Sequence, residues 1–216
     1  MLVGHLGLAL VAKRVEPGIS LGTLVLAAML ADFLWCLFLI TGIEHVQFLP
    51  ELGAANYVTD FDVAISHSLL MDAVWAGLFA AVYFLRRHYA RGARVLFAVV
   101  ISHWLLDVVS LTEPLAPGWS MHFGFGLWHS IRATVIVEGG FWLLALILYV
   151  RATRPRNRVG VFAFWAGAVL LTLAWYNNIT GHPPPGPVTA GISSLIFFSL
   201  IVGWAYWMNT LRRAEV

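Results

Sequence analysis

Six apolar runs, at about 19–42, 62–85, 93–112, 128–150, 159–177 and 188–208, take up most of this chain. Each is close to the ~20 residues that a helix needs to cross a hydrocarbon core of roughly 30 Å. In hydrocarbon every backbone N–H and C=O must be satisfied within the segment, so runs of this length have the helix as their form. A chain of 216 residues that is 60% hydrophobic and 11% charged, with mean hydropathy +0.82, has too little polar surface to coat a soluble globule. The expected fold class is all-α: an integral membrane helical bundle of about six transmembrane helices, forming a single transmembrane domain over residues 1–216. Met1 to Ala12 is too short to cross and lacks both a basic lead-in and a small-residue cleavage site, so it reads as a retained half-helix and not a signal peptide.

The basic residues mark one side of the membrane. Lys13 and Arg14, then Arg86, Arg87, Arg91 and Arg94, then Arg151, Arg154, Arg156 and Arg158, and finally Arg212 and Arg213 occupy alternate connections and the C-terminus. By the positive-inside rule these are cytoplasmic. The connections between them carry Glu44, Glu51, Asp60, Asp62 and Glu113 without lysine or arginine, and face outward. The net charge of +2 therefore reports topology, and a nucleic-acid partner is not expected. Trp128, Trp175, Tyr176, Tyr206 and Trp207 lie near span ends, as in an interfacial aromatic belt. Cys36, the single cysteine, lies in an apolar span and excludes an internal disulfide.

Against this background the ionisable residues inside the runs stand out. Asp32, His67, Asp72, His103, Asp107, Arg132 and Glu138 lie within apolar stretches, where a charged side chain costs roughly 2.5–3.5 kcal/mol unless it is paired, metal-bound or facing water. Counting ~1.5 Å per residue from the outer span ends places Asp32, Asp72, His103 and Glu138 about 14–16 Å deep and His67 and Asp107 about 8–9 Å deep. Ser102-His103-Trp104-Leu105-Leu106-Asp107 sets an imidazole and a carboxylate four residues apart on one helical face. Alone, such a pair is first of all the pattern of a packing histidine held by an aspartate, and also that of two ligands to zinc or a similar divalent ion. With ionisable groups from other spans in the same layer, His67, His103, Asp107 and Asp32 become candidate metal ligands. Glu138 is the candidate base that activates water, and Arg132 the candidate cation for an anionic headgroup or transition state. Asp72 points away from His67 if both share one helix and would serve another helix pair. His122 and His129 read as interfacial histidines, and the runs at 159–177 and 188–208, which carry no ionisable group, are expected to buttress the bundle.

The order of these motifs resembles a known family. His5 on a short apolar segment, Ala31-Asp32 in the next span, Ser66-His67-Ser68-Leu69-Leu70, and Ser102 to Asp107 are similar to the bacterial inner-membrane proteins described as LexA-regulated metal-dependent hydrolases. The resemblance covers about the first half of the chain. It implies a multi-pass protein of the bacterial inner membrane with a membrane-embedded metal site at His5, Asp32, His67, His103 and Asp107. The chain departs from the family where Pro-Asp-x-Asp is replaced by Ala31-Asp32-Phe33-Leu34, and where a His- and Arg-rich lead-in is replaced by Val63-Ala64-Ile65-Ser66. Both departures count against a two-metal site.

The expected function is a membrane-embedded, metal-dependent hydrolase. It would use a divalent ion, zinc foremost, on a lipid-like or phosphoester substrate reached from the outer half of the bilayer. Two alternatives remain open on the same residues: a transporter or proton-coupled carrier with a buried His/Asp/Glu relay, and a non-catalytic membrane assembly subunit.

Overall fold

The computed structural model describes residues 1–48, 55 and 58–215, with the backbone alone for 58–62. Glu51, read above as part of an outward-facing loop, lies outside the described residues. Among the described residues, five helices are long and apolar enough to cross a membrane: α5 (Leu69–Arg87), α6 (Ala90–Ser110), α7 (Ile131–Ala152), α8 (Arg158–Thr180) and α9 (Pro187–Leu211). Their outer faces present Leu78, Ile136, Phe162 and Leu200 outward, the arrangement of a bundle that faces lipid. The fold is an all-α membrane helical bundle.

The remaining expected span is not one helix. Residues 19–42 form α2 (Leu21–Ala28) and α3 (Leu30–Thr41), bent by 56° at Met29. Neither glycine nor proline marks the break in the sequence. The Ala28 carbonyl at the bend accepts a hydrogen bond from His103 Nδ1 at 2.8 Å, so a side chain of α6 satisfies the backbone there. The run at 62–85 also differs from expectation. Its first residue ends a strand, a single helical turn α4 (Ala64–His67) follows, and α5 begins only at Leu69, with Ser68 as an N-cap that accepts from Met71 N.

The half-helix at the start of the chain is α1 (Leu2–Val15), and it sits at the centre of the bundle. Val3, Leu6, Ala9 and Leu10 are buried against α7, α2 and α6. Gly7 permits this approach, since a Cβ there would lie 3.1 Å from that of Ala145 on α7. At the end of α1, Glu16 binds Tyr89 Oη at 2.8 Å and Arg91 Nε at 2.8 Å, which joins the 16–20 turn to the α5–α6 turn. The basic connections thus gather at one end of the bundle, as their alternation required.

Among the described residues, three two-stranded antiparallel ribbons, which the sequence did not announce, finish the connections: β1 (His45–Phe48) with β2 (Val58–Asp62), β3 (Glu113–Pro114) with β4 (His122–Phe123), and β5 (Thr153–Pro155) with β6 (Arg212–Ala214). The β3–β4 ribbon is held against the end of α6 by Gly124. A Cβ at that position would collide with the Leu111 carbonyl oxygen, which is backbone and cannot swing aside. Gly124→Ala is expected to cost about 3 kcal/mol or more, read as a lowered unfolding midpoint of the purified protein. An unchanged midpoint would contradict so close an approach.

Candidate functional site

Four elements deliver the ionisable side chains to one point. α1 brings His5, the first turn of α3 brings Asp32, α4 ends on His67, and α6 presents His103 and Asp107 one turn apart. Asp107 Oδ2 lies 3.0 Å from His103 Nε2 and 4.0 Å from His67 Nε2. Asp32 Oδ1 lies 3.8 Å from His67 Nε2 and 4.0 Å from His103 Nε2. On the other side Asp107 Oδ1 meets His5 Nε2 at 3.1 Å and the Met1 amine at 2.7 Å. The His5 and His103 rings stack at 3.8 Å, and His67 stands edge-on to His103 at 5.2 Å. His5, His103 and Asp107 are buried, while Asp32 and His67 are partly open to the cavity described below.

Outer contacts set the orientation of two imidazoles. A carbonyl can only accept, so the bond to Ala28 O places the proton of His103 on Nδ1 and turns Nε2 toward the carboxylates. That Nε2 is buried and makes no aligned hydrogen bond, although Asp107 Oδ2 is 3.0 Å away. His67 is held by a longer relay. Glu44, buried behind β1, accepts from Ile65 N at 3.0 Å and Ser66 N at 2.7 Å, capping the single turn of α4, and from Ser66 Oγ at 2.7 Å. Ser66 Oγ spends its one proton on Glu44, so at 2.7 Å it accepts from His67 Nδ1 and leaves His67 Nε2 bare toward Asp32. A carboxylate behind the imidazole, fixing its tautomer, is the usual outer shell of a metal-binding histidine.

The donor set fits a cation. Two imidazole nitrogens and two carboxylate oxygens face one another at 3.0–4.0 Å. Four ligand atoms around an ion with bonds of about 2.0–2.1 Å stand about 3.3–3.4 Å apart. Without a cation, protonated imidazoles would have to meet these carboxylate oxygens in the buried space instead.

The other sequence candidates lie elsewhere. Glu138 is buried on α7, and its Oε1 accepts from Gly4 N at 3.2 Å, at the N-terminal end of α1. There it complements the helix dipole and anchors the element that carries His5. Arg132 is exposed, and neither it nor Glu138 lines the cavity beside the cluster. Asp72 is buried between α5 and α6, where its Oδ2 accepts from Trp104 N at 3.2 Å, as expected of a residue serving another helix pair.

The cavity has a volume of about 480 Å³ and reaches the cluster through Asp32, His67 and Asp107. It opens at the end of the bundle opposite the arginines, between β1, β3 and the α8–α9 turn. Two of its walls correct the sequence reading. First, α8 and α9 are not mere buttresses: they supply Ala174, Asn177, Asn178, Ser193, Ser194 and Phe198. Reading ionisable groups alone passed over short neutral polar side chains, which are cheap in a membrane. Second, Glu113 from β3 is buried and lines the cavity beside His67 and Asp107. Burial raises its carboxyl well above the usual range. Glu113 and Glu44 read in the sequence as solvated outer-loop acids, and only the folding back of β3 and β1 reveals them. Trp175, assigned to the aromatic belt, is instead buried against Gly139 of α7, and Trp128 lines the cavity.

No family model, no curated protein and no solved structure matches this chain, so the likeness to the LexA-regulated hydrolases rests on the short motifs around His5, Asp32, His67 and His103.

Proposed function

We propose that this protein is a divalent-metal-dependent membrane hydrolase acting on a lipid-like or phosphoester substrate that enters from the outer half of the bilayer. The observation that carries the reading is the buried His103 Nε2, without an aligned hydrogen bond and turned toward the oxygens of Asp107 and Asp32 with His67 Nε2 opposite. His67, His103, Asp107 and Asp32 would hold the ion, and His5 braces Asp107 from behind. The mixed imidazole and carboxylate set suits zinc. When bound, such an ion supplies Lewis acidity and acidifies water. Glu113, on the cavity wall, would serve as the proton acceptor at the site. Glu138, bonded to Gly4 N, keeps α1 in position.

Elemental mass spectrometry of the purified protein is expected to find about one divalent ion per chain, as a single cluster of this size implies. A preparation free of divalent metal, before and after incubation with zinc, sinks the proposal.

We place the protein in the bacterial inner membrane with a cytoplasmic C-terminus, so that the cavity faces outward. Support comes from the gathering of the basic connections at one end. On a Cys36→Ser background, an impermeant maleimide applied to intact cells is expected to label cysteines placed in the 43–48 segment and to spare those at 88–91 and 153–157. The reverse pattern inverts the model.

One observation favours the carrier alternative: the span broken by 56° beside the cluster, a feature of transporter sites. Against it, the cavity is lined from one end of the bundle only. Zinc or proton flux in proteoliposomes without turnover of any ester would decide for the carrier.

A further inference from the structure

We infer that the substrate is a neutral acyl lipid, an uncharged hydroxyl-bearing head joined to a chain through a carboxylic acyl bond, and that Asn177, Asn178, Ser193 and Ser194 form the subsite for its head. This rests on the hydrolase reading above and narrows it, because it decides against the phosphoester.

Charge makes the first argument. Among the described residues no lysine or arginine lines the cavity, whereas Asp32, Asp107 and Glu113 do. Asp32 and Asp107 face the divalent ion, and Asp107 also holds the Met1 amine. A phosphomonoester would bring about −1.5 to −2 further charges at neutral pH into a space where no lysine or arginine side chain compensates them and the one ammonium, that of Met1, is already paired with Asp107, and burying an unpaired charge is strongly unfavourable. An acyl group brings none. Its carbonyl needs only to be polarised.

The second argument is the polar wall. Asn177 and Asn178 occupy the exposed end of α8, and Ser193, also exposed, and the half-buried Ser194 stand beyond the first turn of α9; all four line the cavity. The side chains of Asn177, Asn178 and Ser194 make no hydrogen bond within the described protein, and Ser193 Oγ, which donates to Thr189 O at 2.8 Å, keeps its lone pairs. Carboxamides and hydroxyls offer donors and acceptors without net charge, the complement of a polyol. In the same cavity, Trp35, Phe197, Phe198 and Leu2 give an apolar surface for a chain. The distribution is that of a small amphiphile with its scissile bond at the polar cluster.

In the reaction so inferred, the oxygen of water bonds to the acyl carbon and the acyl–heteroatom bond breaks. The water proton passes through Glu113 to the leaving alcohol or amine. The products are a carboxylic acid and the neutral head, with no redox change.

The test separates binding from turnover. Binding of 1-O-decylglycerol, a non-hydrolysable ether, to the full-length zinc-loaded protein is read by tryptophan fluorescence, since Trp35 and Trp128 line the cavity. It is expected to exceed the binding of decyl phosphate by about 10-fold or more, and to weaken about 10-fold in Asn178→Ala and Ser194→Ala. Turnover is then measured with 1-decanoylglycerol, its N-decanoyl amine counterpart, and didecanoyl phosphatidate. Hydrolysis of either acyl probe is expected, with KM raised about 10-fold and kcat near wild type in the two variants. Tighter binding of decyl phosphate, or phosphate release from phosphatidate with the acyl probes untouched, overturns this inference and leaves the hydrolase reading standing. Ether binding sensitive to Asn178 and Ser194, with no turnover of any probe, keeps the subsite and overturns the hydrolase. Equal binding by wild type and variants overturns the subsite.

Discussion

His103→Ala is expected to strip the protein of its divalent ion while leaving the bundle folded. His103 is the residue on which the cluster converges: its Nε2 faces both Asp107 and Asp32, its ring stacks on His5, and its Nδ1 ties α6 to the bend at Met29. Losing an outer-shell partner of a metal ligand costs about 10–100-fold in affinity, and loss of the ligand itself should exceed that, leaving no metal after dialysis. The fold should survive, because the apolar faces of α5 to α9 still insert and pack. The bend loses one hydrogen bond, a net cost of about 1 kcal/mol. Retained stoichiometric metal in a folded His103→Ala protein would show that the cluster does not hold the ion. His103→Gln, which keeps a polar group near Ala28 O, serves as a second variant should the alanine protein aggregate.

Glu113→Gln is expected to lower kcat by about 10²–10⁴, the usual contribution of a positioned general base, with metal content unchanged. The substitution keeps shape and most hydrogen-bonding capacity but removes the basic oxygen from the cavity wall. Its counterpart is Glu138→Gln, where the amide oxygen can still accept from Gly4 N, so turnover should stay within a few-fold of wild type. If the two variants exchanged these outcomes, the base would be Glu138 and the cavity wall at β3 merely structural. Both readings need the acyl probes or another turned-over substrate, and metal content gives the control for each.

The membrane fold was legible because hydrocarbon leaves few options: an apolar run of ~20 residues has to be a helix, and the ionisable residues inside such runs are costly enough to flag themselves. Four of the flagged residues, Asp32, His67, His103 and Asp107, do come together, and His5 joins them. Span depth, however, is a one-dimensional measure. It put Glu138 and Asp72 in the same layer as His103, but not on the same side of a helix, and both bond to other elements. The bend at Met29 left no trace in the sequence because its cause is a tertiary hydrogen bond from His103. Glu44 and Glu113 were hidden for a different reason. A loop acid next to a span looks solvated until strand pairing turns it inward, and the two-residue strand β3 is too short to carry a periodic signal.

The stacking of short helices beneath the cluster has an electrical consequence. α1, 14 residues long, and the eight-residue α2 run from the site toward the arginine-bearing end with Leu6, Leu10, Leu21 and Leu24 buried between them. That half of the bundle is an insulator, whereas the other half holds an open cavity. A voltage across the membrane therefore drops over the sealed half, and the cluster sits near the potential of the solution that the cavity faces. An elementary charge carried through the whole field exchanges about 2.3 kcal/mol per 100 mV, but an ion entering from the cavity side, or a proton leaving Glu113, would traverse little of it. The hydrolysis proposed for this site would run alike in an energised and a collapsed membrane.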